Sequence, residues 1–301
     1  MRFYSNGKLL LTGEYLVLDG AMSLAIPTKY GQSLNVTPIT ERQLIWQSLN
    51  SDRSIWYKGV FNILNNGIIT TSNTDDTSKR IIQIINAIKT LNPNFLNTNQ
   101  GFKIITELSF PKDWGLGTSS TLINNLAQWA HVNPYDLLKL TFGGSGYDIA
   151  CAQTNGPITY QIKSNTNYID KVAFNPDFKD HLYFVYLNKK QNSREGIATY
   201  KSNKNTIDNE IDEVNAITKA MIACNSFSEF QDLIERHEAI ISNIIKQTPV
   251  KKRLFSDFQG SIKSLGAWGG DFVLVTSENN PTPYFKNKGY HTVLQYSQMT
   301  L

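Results

Sequence analysis

The sequence predicts an α+β protein folded as two lobes, and three observations carry that expectation. Strand-like and helix-like segments mix within each half, without the regular strand–helix alternation of a doubly wound sheet. The chain has 301 residues, a length at which one hydrophobic core tends to divide into two. Finally, 41% of the residues are hydrophobic and 18% charged, with 15 Phe, 14 Tyr and 5 Trp, too apolar and aromatic for a disordered chain. The lobes are expected at residues 1–180 and 181–301.

The opening reads as a strand from Lys8 to Thr12, a turn at Gly13-Glu14, a second strand from Tyr15 to Leu18, and a closing turn at Asp19-Gly20. Strand-like alternation continues to Ile69. From about Ser78 the isoleucines at 81, 84, 85 and 88 recur with helical spacing, and the helix stops before Asn92-Pro93. Phe102 to Thr106 alternates as a strand, and a loop with Pro111, Gly115 and Gly117 leads into a helix near Ser119. Asn133-Pro134 is a cap followed by proline at the first helical position. Gly143-Gly144-Ser145-Gly146 ends that helix, a short helix opens at Ile149, and Pro157 to Lys163 is a strand. The second half supplies a strand over Leu182 to Leu187 and two long amphipathic helices, the second opened by Ser226-x-x-Glu229. A glycine loop at 266–270, a strand from Phe272 to Val275 and a last strand from Tyr290 to Tyr296 complete the chain.

Charge and composition narrow the function. The 29 Lys and Arg exceed the 25 Asp and Glu by four, and the basic residues are scattered. That is no footprint for nucleic acid, though it suits a pocket for a small anion. No segment approaches the roughly 20 apolar residues of a membrane helix, and the apolar stretch Leu9 to Leu11 is too short for a signal-peptide core. Cys151 and Cys224 are far apart and form neither a disulfide framework nor a metal cluster, which predicts a cytoplasmic setting. The four histidines are dispersed, and His237 on an apolar helix face reads as a packing residue.

The most informative stretch is Pro111-Lys-Asp-Trp-Gly-Leu-Gly-Thr-Ser-Ser-Thr121, between a strand and a helix. Glycines let the backbone turn tightly, and the free amides of the following helix attract an anion, for which phosphate is the natural candidate. Hydroxyls at 118–121 offer further donors to phosphate oxygens or a ligand for magnesium. The plainer alternative is a glycine-rich turn with Ser and Thr capping the helix. No Gly-Lys-Ser/Thr follows, so this is not a Walker A loop.

Taken with two other segments, this loop resembles a known family. Gly7-Lys-Leu-Leu-Leu-Thr-Gly-Glu-Tyr-Leu-Val-Leu-Asp-Gly20 looks like the first motif of the GHMP kinases, the family of galactokinase, homoserine kinase, mevalonate kinase and phosphomevalonate kinase. Pro111-x-x-x-Gly-Leu-Gly-Thr-Ser119 is similar to their phosphate loop, and Gly266-Ala-Trp-Gly-Gly-Asp271 resembles their C-terminal glycine loop. Order and spacing fit across the whole chain. The resemblance implies an N-terminal lobe like ribosomal protein S5 domain 2, a ferredoxin-like C-terminal lobe, and ATP, Mg²⁺ and a small-molecule substrate in a cleft between them. It also implies roles. Gly115, Leu116, Gly117, Thr118, Ser119 and Ser120 would hold the ATP phosphates, with Ser119 nearest magnesium; Asp148 and Lys8 would be catalytic; and Lys190, Arg194, Gly269 and Gly270 would meet substrate. Within the mevalonate and phosphomevalonate kinase branch, Gly-Glu-Tyr in the first motif and Gly-Ser-Gly-Tyr-Asp148 look most like the phosphomevalonate kinases, while the short segment between the phosphate loop and Asp148 fits neither kinase well and leaves both substrates open. A diphosphomevalonate decarboxylase-like lyase and a catalytically silent binding protein share the fold and stay open.

Each role has a structural rival: Asp148 as a helix cap, Lys8 as a solvated strand lysine, Lys190 and Arg194 as loop cations, and Glu14 as support for its turn. The chain also departs from the family pattern. The glutamate that many mevalonate kinases use as a second magnesium ligand would fall near Leu137, and Asp136 is one residue away, a rotation of about 100° on a helix. Trp268 replaces a glycine, and Asp271 stands where a small residue is common. The bulky indole either narrows a substrate pocket or packs against the first lobe.

Overall fold

The isoleucine row at 81, 84, 85 and 88 forms the helix it predicts, with all four side chains buried. The computed structural model describes residues 1–191, 193–203 and 207–301, without the side chains of Ser193, Arg194 and Asn203. The chain divides into two compact units that interleave in sequence: 1–7, 30–112 and 116–153 form the first, and 8–29, 113–115 and 154–301 the second. Strands β1 (Arg2–Leu10) and β2 (Ser23–Ile39) give residues to both.

In the first unit, β3 (Gln43–Leu49), β4 (Ile55–Ile63) and β5 (Ile69–Thr70) form an antiparallel run that alternates buried and open positions. Helix α1 (Asp76–Leu91) starts where the Asp75 carboxylate accepts the Ser78 amide at 2.9 Å. It leads to β6 (Gly101–Leu108), which lies parallel to β3 and antiparallel to residues 32–39 of β2. Helices α2 (Thr118–Ala130), α3 (Pro134–Thr141) and α4 (Tyr147–Ala152) follow. Asn133 caps α3 as its sequence predicts, accepting the Tyr135 amide at 2.8 Å. The core joins sheet residues such as Trp46, Phe61 and Ile104 to Ile84, Ile123 and Leu126 of the helices. Trp129 meets Phe95 and Phe102 edge-on, at ring separations of 4.8 and 5.4 Å.

In the second unit, β7 (Ile158–Lys163) pairs with residues 23–25 of β2 and forms a hairpin with β8 (Thr166–Lys171). A separate antiparallel sheet contains β9 (Leu182–Tyr186), β10 (Ile262–Ser264), β11 (Phe272–Thr276) and β12 (Val293–Gln295), in the order β10-β11-β9-β12. Helices α5 (Ser193–Asn203), α6 (Asp208–Ala223), α7 (Phe227–Ile245), α8 (Val250–Leu254), α9 (Thr282–Asn287) and α10 (Tyr296–Met299) complete it. The Ser226 half of the expected capping box forms, its hydroxyl accepting the Glu229 amide at 3.4 Å.

Two expected strands differ. Residues 16–19 form one turn of 3-10 helix, because Gly13 and Tyr15 both take positive φ (81° and 64°) and roll the chain back on itself. Val17 then donates to the Gly13 carbonyl at 2.9 Å, and Leu16 and Val17 are buried. A four-residue apolar run carries no periodicity that separates the two outcomes. The last strand is three residues long, since Tyr296 already starts α10.

Candidate active site

In the first unit the candidate phosphate loop enters α2 through Gly117, the N-cap residue, at φ 97°. No side chain caps this helix. The first-turn amides of Thr118, Ser119 and Ser120 have no carbonyl four residues back within the helix, so they are oriented donors for an anion. Leu116 is fully buried and anchors the loop, whereas Ser119 is exposed. Ser120 is buried, and its hydroxyl donates to the Gly117 carbonyl at 3.0 Å, which leaves its amide for ligand contact.

A buried polar layer sets the angle of α2. The Thr121 hydroxyl donates to Gln32 Oε1 at 2.8 Å, Asn125 donates to the Gln32 carbonyl at 2.9 Å, and Asn124 donates to Ser5 at 2.9 Å. Ser5 in turn donates to Asn125 Oδ1 at 2.8 Å. Buried amides and hydroxyls satisfied in this way fix one orientation, because any tilt would strand them. Apolar spacing located only the opposite face of the helix.

Helix α4 packs on α2, and Gln153 at its end donates to Asn124 at 2.9 Å. Asp148 is its second residue, half-buried, and its carboxylate accepts the Ile149 amide at 3.1 Å. The N-cap is Gly146, at φ 91°, so Asp148 lies inside the first turn and is not the cap itself. Tyr135, which sequence reasoning missed, belongs to the same region. Burial, with the charges of Asp148 and Cys151 behind it, pushes its phenol up to about 12. Its hydroxyl is buried with no hydrogen-bond partner among the described residues. Asp136 is exposed in the first turn of α3 and Leu137 is buried in the core.

In the second unit the Lys8 ammonium donates to the Gly115 carbonyl at 3.0 Å, which brings the first-motif lysine to the start of the loop. The Asp271 carboxylate packs against the α-carbon of Gly115, where any side chain would collide with it. Burial raises the Asp271 carboxyl above its ordinary range, against the pull of Lys8, the Gln191 amide and Lys190. The Gln191 amide donates to Asp271 Oδ1 at 3.2 Å, and the Asp271 amide to the Lys189 carbonyl at 2.6 Å. Gly270 lies so close to the Lys189 carbonyl that an added Cβ would stand 2.7 Å from it, and Gly269 faces the Arg253 guanidinium. The structure thus joins Lys8, Gly115, the glycine loop and the Lys189–Gln191 segment. Arg194 lies on α5 with its side chain outside the described residues. Trp268 is buried with the Lys263 ammonium 6.0 Å from its ring centre, so the indole packs inside this unit.

Below the first motif lies a cluster that no sequence signal marked. Lys263, fully buried, donates to Glu14 at 2.5 Å and to Glu238 at 3.1 Å. Glu238 also accepts the amide and hydroxyl of Ser264, at 3.1 and 2.8 Å. One ammonium cannot balance two buried carboxylates, and burial outweighs the Lys263 attraction to push Glu14 up to about 7. Its Oε2, 3.4 Å from His237 Nε2, is the one carboxylate oxygen of the pair without a hydrogen bond among the described residues. His237 accepts the Gly13 amide through Nε2 at 3.0 Å, and burial, reinforced by Lys263, holds its pKa well below 6.5.

No protein-family model matches the sequence, and no curated protein does. Solved structures do. The Methanococcus jannaschii mevalonate kinase superposes with a TM-score of 0.70 at 19% identity, covering 97% of this chain and 96% of that one. The Streptococcus pneumoniae phosphomevalonate kinase, in complex with phosphomevalonate and AMPPNP, gives 0.68 at 15% identity over 100% and 98%. This chain has the GHMP kinase fold. The Lactococcus lactis galactokinase complexed with galactose extends the likeness, at 0.64 and 12% identity over 95% and 88%. A GHMP kinase fold agrees with the mixed α and β content, one large mixed sheet and one smaller antiparallel sheet.

Proposed function

We propose that this protein is an ATP-dependent kinase of a small hydroxyl- or phosphate-bearing metabolite, of the mevalonate-pathway type. The observation that carries this reading is the entry to α2: a left-handed Gly117, no side-chain cap, and an exposed Ser119 hydroxyl on the first turn. Backbone amides so arranged bind triphosphate without a dedicated cation, and the resemblance assigns Gly115 to Ser120 that role. Among the described residues no group of three or more His, Cys, Asp or Glu side chains could hold a metal ion. The resemblance assigns Ser119 as the protein ligand of a magnesium ion carried on the nucleotide phosphates, and its exposed hydroxyl on the first turn of α2 fits that role. Bound there, it would neutralise phosphate charge.

The remaining roles belong to this chain's own side chains. Asp148 would orient the attacking hydroxyl and take its proton, and Lys8, beside Gly115, would offset charge on the transferring group. Lys190 and Arg194, with Gly269 and Gly270, are the proposed substrate contacts. Tyr135 adds a buried hydroxyl next to the proposed base. Asp148→Asn keeps the shape and removes the base, so turnover should drop at least a hundredfold, about 3 kcal/mol, with nucleotide binding nearly unchanged. Steady-state turnover across a panel of mevalonate, phosphomevalonate and hexoses, with nucleotide affinity measured alongside, checks this. Near-normal turnover in the variant removes Asp148 from the mechanism. Release of CO₂ would instead mark a decarboxylase-like lyase, and nucleotide binding without turnover on any substrate would mark a binding protein.

A further inference from the structure

Asp271 is the departure from the family pattern that the structure makes most specific. It holds a half-buried carboxylate against the α-carbon of Gly115, the first glycine of the loop. Lys8 donates to the carbonyl of that same glycine at 3.0 Å, and the carboxylate accepts the Gln191 amide at 3.2 Å. The carboxylate also feels the charges of Lys8 and Lys190. The backbone of residue 271 is left-handed, at φ 53°, and both of its backbone groups are in use: its amide donates to Lys189 and its carbonyl accepts from Leu187 at 2.8 Å. The carboxylate is therefore fixed in place. Its negative charge offsets part of the positive charge that the two lysines bring.

We propose that Asp271 is a resident anion of the phosphate loop, which makes the loop discriminate between metal-chelated and metal-free triphosphate. This rests on the reading of Gly115 to Ser119 as the phosphate-binding segment. A fixed negative charge at Gly115 repels a tetra-anionic ATP about twice as strongly as the dianionic magnesium complex, since the interaction scales with the product of charges. It also occupies part of the electrostatic capacity of Lys8 and Lys190, so a free phosphate must compete with it for both. A small neutral residue at this position would lack that filter.

Binding tests the filter without any need for turnover. Equilibrium affinity for ATP is measured by calorimetry on the full-length protein and on Asp271→Asn, once with excess magnesium and once with EDTA. Asparagine is isosteric, tolerates positive φ better than most residues and keeps an acceptor for the Gln191 amide, so the loop geometry is preserved. The variant should bind metal-free ATP about tenfold more tightly and the magnesium complex only about threefold more tightly. Pyrophosphate alone should show the same asymmetry. Asp271→Ser, whose shorter side chain cannot crowd Gly115, gives the same readout should the asparagine variant not fold. Equal shifts for both forms of ATP, or no shift in either, overturn the inference and leave the phosphate loop standing. A wild-type protein that binds neither form overturns the phosphate-loop reading itself, and this inference with it.

Discussion

His237 and Glu14 are neighbours whose protonation states depend on opposite consequences of burial. Glu14 titrates near 7 in the folded protein against an ordinary 4.5, so between those values the folded state keeps a proton that the unfolded chain has lost. Its contribution to stability is complete below 4.5 and is lost as the pH rises through 7. Glu238, also raised by burial, acts in the same direction, while Lys263, raised overall by its two carboxylates against the effect of burial, titrates above this range. For His237 the sign reverses. Its folded pKa lies well below 6.5, so under 6.5 the unfolded chain gains a proton that the folded protein refuses, and stability falls as the pH falls. Between about 4.5 and 6.5 the two slopes oppose each other. His237→Gln, which keeps an acceptor for the Gly13 amide, removes one of them. Urea unfolding at pH 7 and pH 5 should show the variant gaining stability relative to wild type on acidification. A relative loss on acidification would mean that His237 is charged in the folded protein.

Helix α2 shows how an element acquires a function that its own residues do not suggest. Its apolar face seats it in the core, its polar face hangs on Ser5 and Gln32, and the glycine before it leaves the first-turn amides uncapped. A residue with a Cβ at position 117 would have to hold φ 97°, which costs an L-residue about 1–2 kcal/mol. Gly117→Ala should therefore lower the unfolding free energy by roughly that amount and weaken ATP binding more than tenfold, because the loop would relax away from the amides. Chemical denaturation and a nucleotide titration on one preparation check the two parts. Intact ATP affinity at reduced stability would show that Gly117 shapes the helix start without shaping the site. The adjacent short helix α4 carries Asp148 by the same device, a left-handed glycine followed at once by helix.

At the scale of the whole molecule, segments far apart in sequence build each unit. The second unit needs residues 8–29: Ser23 to Ala25 pair with β7, Asn215 accepts the Met22 amide at 2.6 Å, and the Thr218 hydroxyl donates to Thr12 at 2.8 Å. Glu14 from the same stretch is the partner of Lys263. A fragment of residues 154–301 would leave a strand edge unpaired and a buried ammonium short of one carboxylate, a loss on the order of 3–5 kcal/mol from the broken ion pair alone. That fragment should fail to give a cooperative thermal transition, and circular dichroism with size-exclusion chromatography checks it. A monomeric fragment melting cooperatively would show that residues 8–29 are dispensable. Among the described residues no helix is long and apolar enough to cross a membrane.

By itself the sequence determined the elements whose periodicity is long or whose caps are chemically explicit: α1 through its isoleucine row, α3 through Asn133-Pro134, α7 through Ser226 and its apolar face. It also determined the three glycine-bearing motifs, because a chain that turns with positive φ at 13, 115, 117 and 269 favours glycine there. Only the tertiary structure decided the rest. The turn at 16–19 is helical because long-range packing buries Leu16 and Val17, and four residues cannot signal that locally. Lys263, Glu14 and Glu238 are distant in sequence, so nothing in the order of residues shows that two buried carboxylates share one ammonium. Asp271 looks like an ordinary loop carboxylate until the fold presses it against Gly115. Local structure follows from near-neighbour spacing, whereas charge and protonation follow from whatever the fold brings within a few ångströms, and a linear sequence does not carry those distances.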